Sequence, residues 1–437
     1  MGGDSQEGRP GGVPWSRRRF VGAAFAASGT LALAGCGRKA GSGPRPLRIG
    51  YVTPATGPLA PFSAADDYVL AGVRAALAQG ILRGGVRHPV EILAQDSQSN
   101  PNRAAEVTSR LIDADVDLVL AASTADTVNP VADLCEAGEV PCLTTDTPWQ
   151  AWFFGRSGDP RRGFDWTYHF CWGVDQLFQV YLDLWDRLET NKVVGALWPN
   201  DAEGNAFSAP RTGFAAAMQA RGYRVVDTGR FQPSTDDFSA QIRAFKEAGA
   251  QLLTGVLTPP AFQTFWTQAA QQDFRPRIAT VAKALLFPAV AASMGTRGHG
   301  LTTEVWWSPH HPFRSSLGGM TAAQYSADYG RASGRSWTQP MGFRHALFEV
   351  AANAFARAAS IDDPRAIRDA IAATAMDTLV GRVDFPHGPV PNIATTPLVG
   401  GQWQGSANGG IELQVVDDTR APAIPVTAPL QVLPDAR

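Results

Sequence analysis

The sequence has few cysteines, almost no excess of charge of either sign, and no run of apolar residues long enough to span a bilayer. Four cysteines stand among 437 residues, and none is spaced C-x-x-C, so a zinc or dithiol redox centre has no support. Thirty-eight basic residues face 40 acidic ones for a net charge of −2, which gives no sign of a nucleic-acid partner. The apolar stretch Val21 to Ala34 is about 14 residues, short of the ~20 a helix needs to cross hydrocarbon. Enzyme signatures are missing too: there is no G-x-S-x-G, H-E-x-x-H, G-x-x-x-x-G-K-[ST] or S-x-x-K at a strand-to-helix turn. His310 and His311 in "SPHHPF" lack a third ligand at a recognisable spacing. The expectation is a chain without a metal, a cofactor or catalysis.

What is present starts at the front. "SRRRFVG", Ser16 to Gly22, is a basic segment followed by the short apolar run, and Leu33-Ala34-Gly35-Cys36 closes it. Arg17 and Arg18 before Phe20 resemble a twin-arginine export signal, which a receptor reads. The small residues before Cys36 resemble a bacterial lipobox, whose cysteine is lipidated and becomes the first mature residue. Residues 1–36 are therefore expected to be a signal and 37–46 a linker. Of the other cysteines, Cys135 and Cys142 are the pair nearest in sequence. An exported compartment permits a disulfide between them, and three inert buried thiols fit equally.

From Leu47 onward, short apolar strands alternate with amphipathic helices, the pattern of βαβ units and a parallel sheet. "LRIGYVTP", "PVEILAQDSQ", "DVDLVLAAST" and "VPCLTTD" read as strands with helices between them. An aromatic-rich interruption, Trp149 to Trp172, breaks the rhythm. The alternation restarts at "KVVGALWPND", and "NAFSAPRTGFAAAMQARG" reads as the next helix. "GLTTEVWW" reads as a later strand and "GFRHALFEVAANAFARAAS" as a long helix. The predicted fold class is α/β, two doubly wound Rossmann-like lobes in succession. About 400 residues beyond the front segment suffice for two separate cores.

The order of these elements and several local stretches resemble the type I periplasmic binding proteins, in the leucine/isoleucine/valine-binding branch. "IGYVTPATGPLAPFS", "DSQSNPNRAAEVTSRLI" and "DDFSAQIRAFKEAGAQLL" carry the likeness. The resemblance implies three hinge crossovers and a solute held in the cleft between lobes. Lobe 1 is expected to comprise 47–172 and 307–390, lobe 2 173–306 and 391–418, with an extended tail at 419–437.

Ligands of open parallel sheets bind beyond the carboxyl ends of strands, where helix N-termini favour anions. In "AASTADT", Ser123, Thr124 and Thr127 stand where a helix starts, as carboxylate binders or plain caps. In "LTTDTPW", Thr145, Asp146, Thr147 and Trp149 form the second loop that the resemblance assigns to a carboxylate. Phe62 falls where the family often carries an aromatic. Glu203 in "NDAEGNAF" replaces a family tyrosine, and Leu257 and Thr258 stand where another aromatic is common. Lys283 in "IATVAKALLF" stands where amino-acid binders carry an acid for the ligand's ammonium. Lysine there repels an ammonium, so it either draws a second anionic group or pairs with Glu203.

The expected function is that of a lipid-anchored, monomeric solute-binding protein outside the cytoplasm. It would hand a carboxylate-bearing solute with an apolar or aromatic body, or one like an amino acid, to an ABC permease and ATPase complex. A receptor that reports occupancy to a membrane partner is the alternative.

Overall fold

The structure, a computed structural model, describes residues 43–406 and 409–434. Arg17, Arg18 and Cys36 lie outside the described residues. Among the described residues, no helix is long and apolar enough to cross a membrane.

The first sheet starts with β1 (Leu47–Thr53), followed by α1 (Asp66–Ala76). A small hairpin, β2 (Ile81–Arg83) and β3 (Val86–His88), leads into β4 (Val90–Asp96). Then come α2 (Pro101–Asp113), β5 (Leu118–Ala122), α3 (Ala125–Gly138) and β6 (Cys142–Thr145). The start of α2 is set by Asn100, whose side chain accepts from the Asn102 and Arg103 amides at 2.9 and 3.1 Å, with Pro101 supplying a first-turn residue that needs no N–H partner. The aromatic interruption folds into the short α4 (Trp149–Phe153) and β7 (Thr167–Phe170).

The chain then crosses into the second lobe: α5 (Val174–Asp186), β8 (Val193–Pro199), α6 (Ala202–Phe207), α7 (Phe214–Ala220) and β9 (Arg224–Phe231). It continues through α8 (Ser239–Glu247), β10 (Leu252–Leu257), α9 (Pro259–Gln271), β11 (Ile278–Lys283), α10 (Pro288–Ser293) and β12 (Thr302–Val305). One helix was expected over the stretch that forms α6 and α7. Pro210 removes a donor there, and at Gly213 a Cβ would meet the Ala209 carbonyl oxygen at 2.4 Å, so the helix breaks.

After β12 the chain returns to the first lobe for α11 (Ala322–Ser333), α12 (Gln339–Arg357) and α13 (Pro364–Ala372). A hairpin of β13 (Ala375–Thr378) and β14 (Gly381–Asp384) follows, then β15 (Ile393–Ala394), β16 (Val399–Gly405) and β17 (Ile411–Asp417). The first sheet runs β15-β7-β6-β5-β1-β4 and the second β17-β16-β12-β11-β10-β8-β9. All pairings of the first sheet are parallel. The second is parallel except where β16 and β17 add an antiparallel edge.

Three crossings thus join the two lobes, after β7, after β12 and after β15. The third differs from the expected boundary at 391. Two residues of β15 pair with His169 and Phe170 of β7, so that segment belongs to the first sheet. Residues 418–434 are tied to the second lobe, with the Thr427 amide on the Val415 carbonyl at 2.8 Å and the Leu433 amide on the Arg277 carbonyl at 2.9 Å.

Candidate functional site

The carboxyl ends of β5 and β6 in one lobe face those of β8 and β11 in the other, as parallel-sheet topology dictates. At the end of β8, α6 begins under its cap, Asp201, which accepts from the Gly204 amide at 2.7 Å. Gly204 is required because a Cβ there would lie 1.9 Å from the Pro199 carbonyl oxygen. That close approach turns Glu203 inward, where it is buried.

Glu203 reaches across the cleft. One carboxylate oxygen accepts from the Ala125 amide, the first residue of α3, at 3.3 Å and from the Thr147 hydroxyl at 3.1 Å. The other holds the Lys283 ammonium at 2.9 Å, with Asp201 at 4.0 Å from the same ammonium. Burial works to strip the Lys283 proton, but the charges of Glu203, Asp201 and Asp126 outweigh it and raise the lysine's pKa. Lys283 ends β11 with φ of +69°. The helix N-terminus and threonine hydroxyl anticipated for a guest's carboxylate therefore hold the protein's own. The pairing of Lys283 with Glu203, one of the two roles open to that lysine from the sequence, is the one present.

A second network lies beneath, within lobe 1. Arg344 of α12 is fully buried. One guanidinium nitrogen donates to the Tyr51 hydroxyl at 2.8 Å, Thr53 at 2.6 Å and Asp66 at 2.8 Å. Its other terminal nitrogen donates to the Ala122 carbonyl at 2.9 Å. Asp146 lies 3.2 Å from the arginine Nε, without hydrogen-bond alignment. Both oxygens of Asp146 are buried and lack a hydrogen-bond partner among the described residues. Burial pushes its pKa up to about 7 against the pull of Arg344.

Between these layers is a small cavity of about 20 Å³, room for about one water, lined by Phe62, Asp146, Trp172, Glu203, Phe207, Lys283, Glu304 and Trp306 with a few aliphatic neighbours. Phe62 meets Phe287 edge-on at 5.0 Å, and Trp172 lies 5.4 Å from Trp306, centroid to centroid. Glu304 is held by Tyr181 at 2.5 Å and Thr303 at 2.8 Å. Burial still raises its pKa to about 7.

The sequence-predicted residues divide. Phe62, Asp146, Glu203 and Lys283 line the cavity, and Thr147 bonds to Glu203 beside it. Ser123 and Thr124 are buried at the α3 start, and the Ser123 hydroxyl lacks a partner. Thr127 bonds back to the Thr124 carbonyl at 3.1 Å, as a helix-start hydroxyl does. Thr145 is tied to the Phe170 carbonyl at 2.7 Å, which holds it within the sheet. Leu257 is buried and Thr258 occupies the N-cap position of α9 without a capping side-chain hydrogen bond; neither lines the cavity. Trp149 packs with Phe153 and Phe154 in a lobe 1 cluster. Most of the aromatic interruption is core of this kind. Trp152 stacks on His169 at 5.1 Å, and the Arg156 guanidinium sits 4.0 Å over Phe164. Only Trp172, of that segment, reaches the cavity.

Sequence reasoning missed Trp172, Phe207, Glu304, Trp306 and the Arg344 network. Glu304 and Arg344 are charges within a predicted strand and a predicted helix, which does not by itself tell an inward charge from an outward one. Cys135, Cys142 and Cys171 are buried free thiols.

Residues 46–407 match the family model described as periplasmic binding protein. No curated protein sequence matches the chain. Among solved structures, a leucine-binding protein, LivK, from Thermotoga maritima is 18% identical, with a TM-score of 0.69 over 84% of this chain and 98% of that one. LivJ from Streptococcus pneumoniae, in complex with isoleucine, is 15% identical, with a TM-score of 0.66 over 85% and 99%. A solute-binding protein of an ABC transporter from Rhodopseudomonas palustris, in complex with 3,4-dihydroxybenzoic acid, is 15% identical, with a TM-score of 0.67 over 89% and 98%. Two α/β lobes, three crossings, a shared cleft and a family match over most of the length agree: the chain belongs to the periplasmic binding protein family, with the type I fold of its leucine- and isoleucine-binding members.

Proposed function

We propose that the protein is a lipid-anchored extracytoplasmic receptor that captures one small organic solute between its lobes and presents it to an ABC importer. It acts as a monomer and performs no chemistry on its guest. The observation that carries this reading is Glu203, a lobe 2 side chain seated on the α3 N-terminus and Thr147 of lobe 1. Such a contact exists only when the cleft is shut, and closure on a guest excludes water and strengthens polar contacts. The aromatic lining suits a guest with an apolar or aromatic body, since rings supply large contact area at small entropy cost.

The relatives with isoleucine and dihydroxybenzoic acid hold guests that carry a carboxylate. A guest of that kind would have to displace Glu203 from its seat and take Lys283 as its cationic partner. Anchoring through Cys36 would keep the receptor near its permease, raising its effective concentration there. The test is to compare the full chain with Cys36→Ser by membrane fractionation, and to screen the unlipidated form against small solutes by thermal shift. The reading expects the parent in the membrane fraction, the variant released, and a solute that raises the unfolding midpoint by mass action. A soluble parent would remove the anchor, and no stabilising solute would remove the receptor.

A further inference from the structure

Resting on the solute-receptor reading, we propose that the guest is an organic cation. Its ammonium head is received by Asp146, and the rings of Phe62, Trp172 and Trp306 close around it.

Three observations carry this. First, the anion seat is taken: the α3 N-terminus, Thr147 and Lys283 are all engaged by Glu203. Second, the cleft has an excess of negative groups. Among the described residues, the carboxyl groups of Asp66, Asp126, Asp146, Asp201, Glu203 and Glu304 outnumber the cations Arg344 and Lys283, an excess that is fully charged above pH 7. Third, Asp146 lines the cavity with a fully buried side chain and no hydrogen-bond partner on either oxygen. A carboxylate kept only for structure would be hydrogen-bonded, because an unsatisfied buried acceptor is costly. Arg344 compensates its charge from 3.2 Å but gives it no aligned hydrogen bond, the two terminal nitrogens being committed to Tyr51, Thr53, Asp66 and Ala122. A cation received between parted lobes, where this small cavity widens, would supply the missing partner, and aromatic faces attract a desolvated ammonium through their quadrupoles.

The groups facing Asp146 are Arg344, Asp66 and Tyr51 on one side and Cys171 of the neighbouring crossing. Across the cavity stand Glu203, Lys283 and Glu304. Asp146 and Glu304 both change charge near pH 7, and both must be ionised to hold a cation well. Affinity therefore falls as pH drops through 7.

The test titrates the unlipidated protein with choline, tetramethylammonium and butylammonium at pH 8 and pH 5.5. 3,3-Dimethylbutan-1-ol serves as choline's uncharged isostere, and benzoate and leucine as carboxylates. At least one of the three cations is expected to bind at pH 8, at least tenfold tighter than the alcohol and either carboxylate, and to weaken more than tenfold at pH 5.5. Asp146→Asn should lose that binding and its pH dependence. Asparagine tolerates the positive φ at this position and mimics the neutral acid, so the variant should unfold no lower than the parent at pH 5.5. Tighter binding of benzoate or leucine would overturn the cation and leave the receptor standing. Binding of the alcohol as well as choline, or full retention of cation affinity in Asp146→Asn, would also overturn it. No response to any of the six would overturn the cation and leave the receptor to the wider solute screen.

Discussion

The Glu203 carboxylate, carried by the second lobe, accepts from the Thr147 hydroxyl of the first at 3.1 Å while its other oxygen holds Lys283 at 2.9 Å. This one side chain bridges the cleft and neutralises a buried ammonium. Removing one partner of a buried pair costs about 3–5 kcal/mol because the other charge is left uncompensated. In a hinged molecule the cheaper response is to open and hydrate the lysine. Glu203→Ala should therefore expand the unliganded protein in small-angle X-ray scattering, with the radius of gyration rising toward that of parted lobes. An unchanged scattering profile would show that Glu203 does not hold the cleft shut.

Arg344 stands between two carboxylates, Asp66 at 2.8 Å and Asp146 at 3.2 Å. Arg344→Leu leaves both acids buried without a cation, and a loss of about 3–5 kcal/mol is expected. Arg344→Lys should recover part of this, since lysine restores the charge but not the planar fork. Chemical denaturation of the three proteins gives the comparison. A leucine variant as stable as the parent would mean the acids are protonated and the arginine dispensable.

Stability against pH should be nearly level from about 6.5 to 4.5 and then drop. His169, His311 and His345 are buried neutral with pKa values lowered to about 3, 3 and 4. The unfolded chain gains their protons below 6.5 while the native state does not, so they remove stability as pH falls. Asp126, Asp146 and Glu304 act oppositely, with values raised to about 6, 7 and 7. The native state holds their protons where the unfolded chain has released them, so they add stability as pH falls from 7 toward 4. The two sets offset each other until the acids are exhausted. The Asp146→Asn, Glu304→Gln double variant should lose stability steadily below pH 6.5. Parallel pH curves for parent and double variant would contradict this balance.

Cys135, Cys142 and Cys171 are buried and, among the described residues, unpaired, and burial raises the thiol pKa of Cys135 and Cys171 well above the ordinary value. Protein lacking residues 1–36 should react with no thiol reagent while folded and expose three thiols in denaturant, as counted by mass spectrometry. Two equivalents lost to a disulfide would contradict the free-thiol assignment.

How much of this was legible in the sequence differs by element. The strands β1, β4, β5 and β6 and their helices follow from local pattern, because each strand is a short β-prone stretch bounded by turns and followed by an amphipathic helix. β15 was not legible: two residues acquire strand pairing only against β7, over two hundred positions earlier. The seat of Glu203 was half legible. Its position opposite Lys283 could be raised as a possibility, but its capture by Ala125 and Thr147 depends on how two lobes meet. Arg344 lies in a helix buried on nearly every side, which has no polar face to distinguish an inward charge from an outward one.

The central claim is that both lobes grip a single solute at the ends of their sheets. Hydrogen exchange with mass spectrometry, with and without the stabilising solute, tests it most directly. Protection should appear together at the α3 start near Ala125, the Asp146–Thr147 loop, the α6 start at Glu203, and the β11 end at Lys283. Protection confined to one lobe, or lying outside these segments, would contradict the account.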